Sequence, residues 1–133
     1  MTQEEKQILF KDLCARLPYG VKILDIPANV VGDLYLISTT DAVEYEPVDE
    51  TNDDDNTGVQ TLYNIKPYLR PRSSMTEEEK EEYEMLQVYP GFKTNHTDLT
   101  DMYDFLNAHH LDYRGLIPMG LALEALEGMY KTE

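Results

Sequence analysis

The hydrophobic period of this chain changes near Lys66, and that change limits the folds open to it. Ahead of it lie four runs with strand character: VKILDI from Val21 to Ile26, LYLIST from Leu34 to Thr39, AVEYE from Ala42 and VQTLYNI from Val59. The turn-rich PANVVGD between the first two predicts a hairpin. Pro47 cuts off the third run, and the fourth places Val59, Thr61, Tyr63 and Ile65 on one face. Behind Lys66 the spacing becomes helical. TEEEKEEYEML is one predicted helix and Asp98 to His110 another, with Leu99, Met102, Tyr103 and Leu106 as its apolar stripe. Leu116 to Met119 reads as a short helical turn, followed by an extended LALEA.

A further helix precedes the strands, from Thr2 to Leu17. Thr2 and Glu5 have the spacing of a capping box, and Leu9, Phe10, Leu13, Cys14 and Leu17 repeat as a buried stripe. Pro18 and Gly20 end it. The fold class that follows is α+β: an N-terminal helix on a small, mainly antiparallel sheet of four or five strands, followed by two helices and a short terminal element. At 133 residues the chain has the size of one domain, spanning 1–133. Two sub-units, 1–65 and 75–133, are the alternative division, joined by KPYLRPRSS. That stretch reads as a linker, since Lys66 ahead of Pro67 favours extended backbone leaving the sheet.

Charge adds a second constraint. Asp and Glu number 26 against 11 Lys and Arg, a formal charge of -15. Such a field repels phosphate backbones and anionic lipid and draws in cationic surfaces, so direct nucleic-acid binding is disfavoured and a protein partner is expected. No run approaches the roughly 20 apolar residues of a membrane span, and MTQEEKQILF lacks the basic and apolar regions of a secretory signal, so neither membrane nor export is expected. The single cysteine forms no internal disulfide, which makes the cytoplasm the expected address.

Against this background Lys66, Arg70 and Arg72 fall within seven residues, in a stretch without an acid from Gln60 to Thr76. Six glutamates follow between Glu77 and Glu84. Ser74 with Glu77, and Thr76 with Glu79, fit the S/T-x-x-E pattern, so the first glutamates are helix-start chemistry. The cations have two readings: they pair with carboxylates, or with Tyr68 they form an edge that binds an anion or a partner. His109, His110 and Arg114 are the other binding candidates. Adjacent helical histidines cannot both face one metal, and His110, on the apolar stripe, reads as a capping or core-edge residue.

Residues 49–58, DETNDDDNTG, are a polar loop. Asp53, Asp55, Thr57 and Gly58 match positions 1, 3, 5 and 6 of a calcium loop, but Asn64 stands where the bidentate Glu is needed, so a solvated acidic loop is expected instead. Cys14 lies in the stripe of the first helix, where a cysteine behaves as a small apolar residue rather than a nucleophile. Nucleophile elbow, phosphate loop, C-x-x-C and H-E-x-x-H patterns do not occur. No catalytic residue, metal or cofactor is assigned.

Three stretches, LCARLPYGV from Leu13, IKPYLRPRSSMTEEEKEEYE from Ile65 and LNAHHLDYRGLIPMGLALEALEGMY from Leu106, resemble a group of small uncharacterised proteins of gut Bacteroides and of their phages and prophages. Pro often stands in that group where this chain has Leu126. The resemblance implies a cytoplasmic bacterial or phage-borne setting and brings no activity with it. Three functions stay open: a non-enzymatic interaction module using the KPYLRPR edge or the His109 to Arg114 region, an acidic decoy for a basic nucleic-acid-handling protein, and a small hydrolase using His109 or His110 with carboxylates.

Overall fold

The computed structural model describes residues 1–48, 57–88 and 99–130. Residues 49–56 of the acidic loop, with the calcium-like spacing at Asp53 and Asp55, and the start of the second predicted helix at Asp98 lie outside the described residues. Helix α1 spans Gln3–Arg16 and begins with the expected capping box: the Thr2 amide donates to the Glu5 carboxylate at 2.9 Å and the Glu5 amide to the Thr2 hydroxyl at 3.0 Å. A 3₁₀ turn, Leu17–Tyr19, then closes on Gly20 at φ +79°, a conformation that glycine adopts without strain.

The inner face of α1 differs from the apolar stripe read in the sequence. Leu9, Asp12, Leu13 and Arg16 are buried, whereas Cys14 is exposed and Phe10 and Leu17 are half-buried. The face is still a regular i, i+3, i+4, i+7 set, but two of its four members are charged. An apolar count passed over them because a buried ion pair has no hydrophobic signature.

The sheet has six strands rather than four or five: β1 Lys22–Asp25, β2 Val30–Ile37, β3 Ala42–Pro47, β4 Gly58–Thr61, β5 Ile65–Leu69 and β6 Leu123–Glu124. Their order is β4-β3-β2-β1-β5-β6, antiparallel throughout except for the parallel β5–β6 pair. The expected β1–β2 hairpin is present, although β2 starts four residues earlier than its apolar run suggested. The fourth predicted run divides into β4, a 3₁₀ turn at Leu62–Asn64, and the start of β5.

The first part of the predicted linker, residues 66–69, therefore lies in a strand inside the sheet, which corrects the sequence reading, and only its end, Arg72–Ser74, forms a 3₁₀ turn outside it. Pro67 is compatible with that position because of its register. The Ile26 amide donates to the Asn64 carbonyl, so alternation turns Lys66 toward β1 and Pro67 away from it. β6 takes over on that outer side only further along, where the Ala125 amide donates to the Leu69 carbonyl. Pro67 thus costs no ladder bond. Ile65, Pro67, Tyr68 and Leu69 are all buried, so β5 lacks the alternation that identifies half-exposed strands.

Two apolar clusters result. The first joins Leu9 and Leu13 of α1 to Ile23, Leu34, Val43, Ile65 and Leu69 of the sheet, and Leu116, Leu121 and Ala122 enter it from the C-terminal stretch. Each fully buried leucine contributes about 2 kcal/mol. Tyr45 lies flat across Gly32 and Gly58, where a β-carbon on either glycine would overlap its ring. Its hydroxyl donates to the buried Asp25 carboxylate at 2.6 Å. The second cluster packs helix α2, Glu77–Val88, on helix α3, Thr100–Ala108, through Leu86, Met102, Phe105, Leu106 and Leu111. Leu99 and Tyr103, expected on that stripe, are exposed. Phe105 takes the inner position and Tyr103 turns out to meet Tyr113 at 5.6 Å between ring centroids. The overall class is α+β, and no helix among the described residues is long and apolar enough to cross a membrane.

Candidate functional site

The sequence candidates on either side of α2 converge on one carboxylate, Glu79. Two local decisions place it there. Thr76 caps α2, with the Glu79 amide donating to its hydroxyl at 3.1 Å and the Thr76 amide to the Glu79 carboxylate at 2.9 Å. Ser74 instead donates to the Pro71 carbonyl, so of the two capping patterns Thr76–Glu79 is the one formed. Meanwhile Arg70, at the end of β5, is pinned by its backbone: its amide donates to the His110 carbonyl at 2.7 Å and its carbonyl accepts from Asp112 at 2.9 Å.

The Arg70 guanidinium then grips Glu79 with two bonds, Nη2 to Oε1 at 2.7 Å and Nη1 to Oε2 at 3.0 Å. It also donates to the Ser74 carbonyl and hydroxyl and to the His109 carbonyl. His109 adds its Nδ1 to Glu79 Oε2 at 3.0 Å. Hydrogen bonding from Arg70, reinforced by the Thr76 amide and opposed by burial, lowers the Glu79 carboxyl to about 2. An ionised Glu79 only accepts, so His109 is the donor in this bond, through Nδ1. Its ring packs 4.3 Å from that of Phe105.

The two histidines part company at the end of α3. His109 caps it, whereas His110 adopts φ +60° and stacks on Tyr130, with ring centroids 3.7 Å apart. Burial, followed by the charges of Arg16, His109, Arg70 and Lys22, lowers His110 to about 4, so it is neutral near pH 7. The Tyr130 hydroxyl donates to the Tyr68 carbonyl at 2.7 Å and accepts from the Lys22 amide at 2.8 Å, and burial raises it well above its ordinary value. Among the described residues no group of three His, Cys, Asp or Glu is placed to hold a metal.

The remaining candidates are dispersed. Tyr68 is buried and Lys66 half-buried within β5, so KPYLRPR offers no continuous exposed edge. Arg72 is exposed, bonds the Tyr83 hydroxyl at 2.7 Å and lies over its ring. Arg114 donates to Asp12 at 3.0 Å. There it joins Arg16, which is fully buried and bonds the same carboxylate at 2.7 and 3.1 Å and the Leu111 carbonyl at 2.8 Å. Both guanidinium groups lie over the Tyr113 ring.

Of three clefts among the described residues, two adjoin these networks. One of about 640 Å³ runs between Glu4, Gln7, Phe10 and Lys11 of α1 and Thr39 and Asp41 of the β2–β3 turn, and contains none of the candidates. One of about 350 Å³ opens beside Arg70, Ser74, Thr76 and Tyr130. The third, of about 250 Å³, lies between α2 and α3, with Leu86, Phe105 and Ala108 as apolar lining, Glu82, Asp101 and Asp104 as acids, and His109 and Tyr19 at its margins. Burial and then the neighbouring Asp104 carboxylate push the Tyr19 hydroxyl up. Sequence reasoning missed Asp12, Arg16, Tyr19, Asp104 and Tyr130 as members of these sites. Only Glu79 had a legible signal, its distance from Thr76.

No family model, curated protein or solved structure matches the chain. The functional reading therefore rests on the residues. Among the described residues the third cleft combines a histidine and carboxylates with apolar surface.

Proposed function

We propose that this protein is a non-enzymatic interaction module that receives a basic protein partner on its acid-rich helical side. The observation that carries the reading is the direction in which charge is turned. Arg16, Arg70 and Arg114 are directed onto Asp12 and Glu79, and Lys6 and Lys22 onto Asp41 and Asp33. The outward side of α2 carries Glu77, Glu78, Glu81 and Glu84, all exposed, and Asp104 is exposed on α3. A fold that turns three of its four arginines onto its own carboxylates, leaving Arg72 exposed, and its surplus carboxylates outward presents a field that attracts cationic surfaces.

Affinity capture of the tagged protein from native lysate, washed at about 0.05 and 0.3 M salt, tests this reading, because that range progressively screens surface charge. A stoichiometric basic partner retained at low salt and depleted at high salt is expected. Recovery of a partner indifferent to salt would remove electrostatics from the reading, and recovery of none would remove the reading itself. The exposed glutamates also suit a narrower alternative, an acidic decoy. In that case the partner handles nucleic acid, and added duplex DNA displaces it. The hydrolase alternative requires turnover that is lost when His109→Gln removes the imidazole.

A further inference from the structure

We infer that the groove between α2 and α3 seats a single Lys or Arg side chain from a basic, amphipathic segment of the partner. The inference rests on the interaction reading above and assigns it a place and a mode. At about 250 Å³ the groove falls below the usual size of small-molecule sites, but it has room for one long side chain. Its lining combines the two kinds of surface that such a side chain requires. Leu86, Phe105 and Ala108 meet an aliphatic stem, and the exposed Asp104 supplies negative charge for its end. Lys and Arg are the side chains that combine a long apolar stem with a cationic tip.

The walls are rigidly supported. Tyr83 and Phe105 stack between the helices at 6.1 Å, and His109 is tied to Glu79, so little ordering is left for binding to supply. Charge complementarity extends beyond the groove. Exposed Glu78 and Glu81 lie on α2, and exposed Met85 and Val88 add apolar surface on the same helix. Acid and apolar surface together fit an amphipathic basic peptide better than a free diamine, which has no apolar side to place on Met85 and Val88.

The test uses the whole chain and a fluorescein-labelled peptide of about 15 residues with Lys and Leu at helical spacing, long enough to form a helix when bound. Three variants at exposed positions separate groove from net charge: Asp104→Arg reverses a groove charge, Ala108→Trp fills the groove at constant charge, and Glu81→Arg reverses a charge outside it. Circular dichroism verifies that each remains folded. Asp104→Arg and Ala108→Trp should each weaken the peptide about tenfold or more, and Glu81→Arg by about threefold at most. Equal losses from Asp104→Arg and Glu81→Arg, an unchanged affinity in Ala108→Trp, or displacement of the peptide by a free diamine at matched charge concentration would overturn the groove. A native partner that is captured but indifferent to Asp104→Arg would overturn the groove and leave the interaction reading standing. Neither survives if the unmodified chain binds no peptide and captures no partner.

Discussion

Arg16 and Arg70 are both buried guanidinium groups, and the fold treats them differently. All five N–H groups of Arg70 have partners: Glu79 takes two, Ser74 two and the His109 carbonyl one. Arg16 is more deeply buried, yet its Nη1 has no hydrogen-bond partner, and its carboxylate, Asp12, is shared with Arg114. Arg70 is thus the sole guanidinium donor to Glu79 at a fully satisfied junction between β5, α2 and the end of α3. Arg16 belongs to a cluster that has a second cation in reserve. A buried charge is tolerated where its neighbours are satisfied, and the cost of removing one depends on what the carboxylate left behind can still reach.

The largest effect should come from breaking the junction that has no reserve. Arg70→Met leaves Glu79 buried with only Thr76 and His109, and should cost about 3–5 kcal/mol in urea unfolding. Removing both charges, with Arg70→Met and Glu79→Leu together, should restore a large part of that loss, since an apolar pair leaves no orphaned charge. Arg16→Met should cost less, about 1–3 kcal/mol, because Arg114 continues to neutralise Asp12. If the two single variants lose the same stability, the contrast between a sole and a shared partner is wrong.

Acid titration sharpens the contrast further. Glu79 is lowered from an ordinary 4.5 to about 2, so its contribution is complete above 4.5 and is lost as pH falls from 4.5 toward 2. His110 is lowered from 6.5 to about 4, so the unfolded chain takes up its proton first, and stability falls as pH drops from 6.5 through 4. Two acid limbs should therefore appear in stability measured against pH. His110→Asn, which tolerates the positive φ, should lower stability through loss of the Tyr130 stack but flatten the limb between 6.5 and 4. Glu79→Gln should flatten the lower one. The smallest effect belongs to the exposed member of α1. Cys14→Ser should change stability by no more than about 0.5 kcal/mol, and Cys14 should react with a maleimide in the folded protein. Protection of Cys14 until unfolding would return it to the buried stripe predicted from the sequence.

Much of the local architecture was legible. The Thr2–Glu5 and Thr76–Glu79 caps, the β1–β2 hairpin and the end of β3 at Pro47 depend on residues a few positions apart, where spacing is informative. Strand β5 was hidden because it is buried on both sides and contains a proline, which together read as a linker. The α3 stripe was misaligned because Phe105 was left out and the helix was read as extending to His110. Of the candidate site, the cluster of cations was visible, but not that Arg70 turns inward while Arg72 stays on the surface two residues away.

By itself the sequence determined the charge surplus, the helix caps, most turns and the α+β class, since these follow from composition and from contacts within one turn or hairpin. Only the tertiary structure decided where each charge would go. Arg16 reaches a carbonyl 95 residues away and Asp12 an arginine 102 residues away. Such pairings leave no period in the chain, because a charged side chain is drawn into a core by the one partner that meets it there, and that partner is chosen by the packing of the whole.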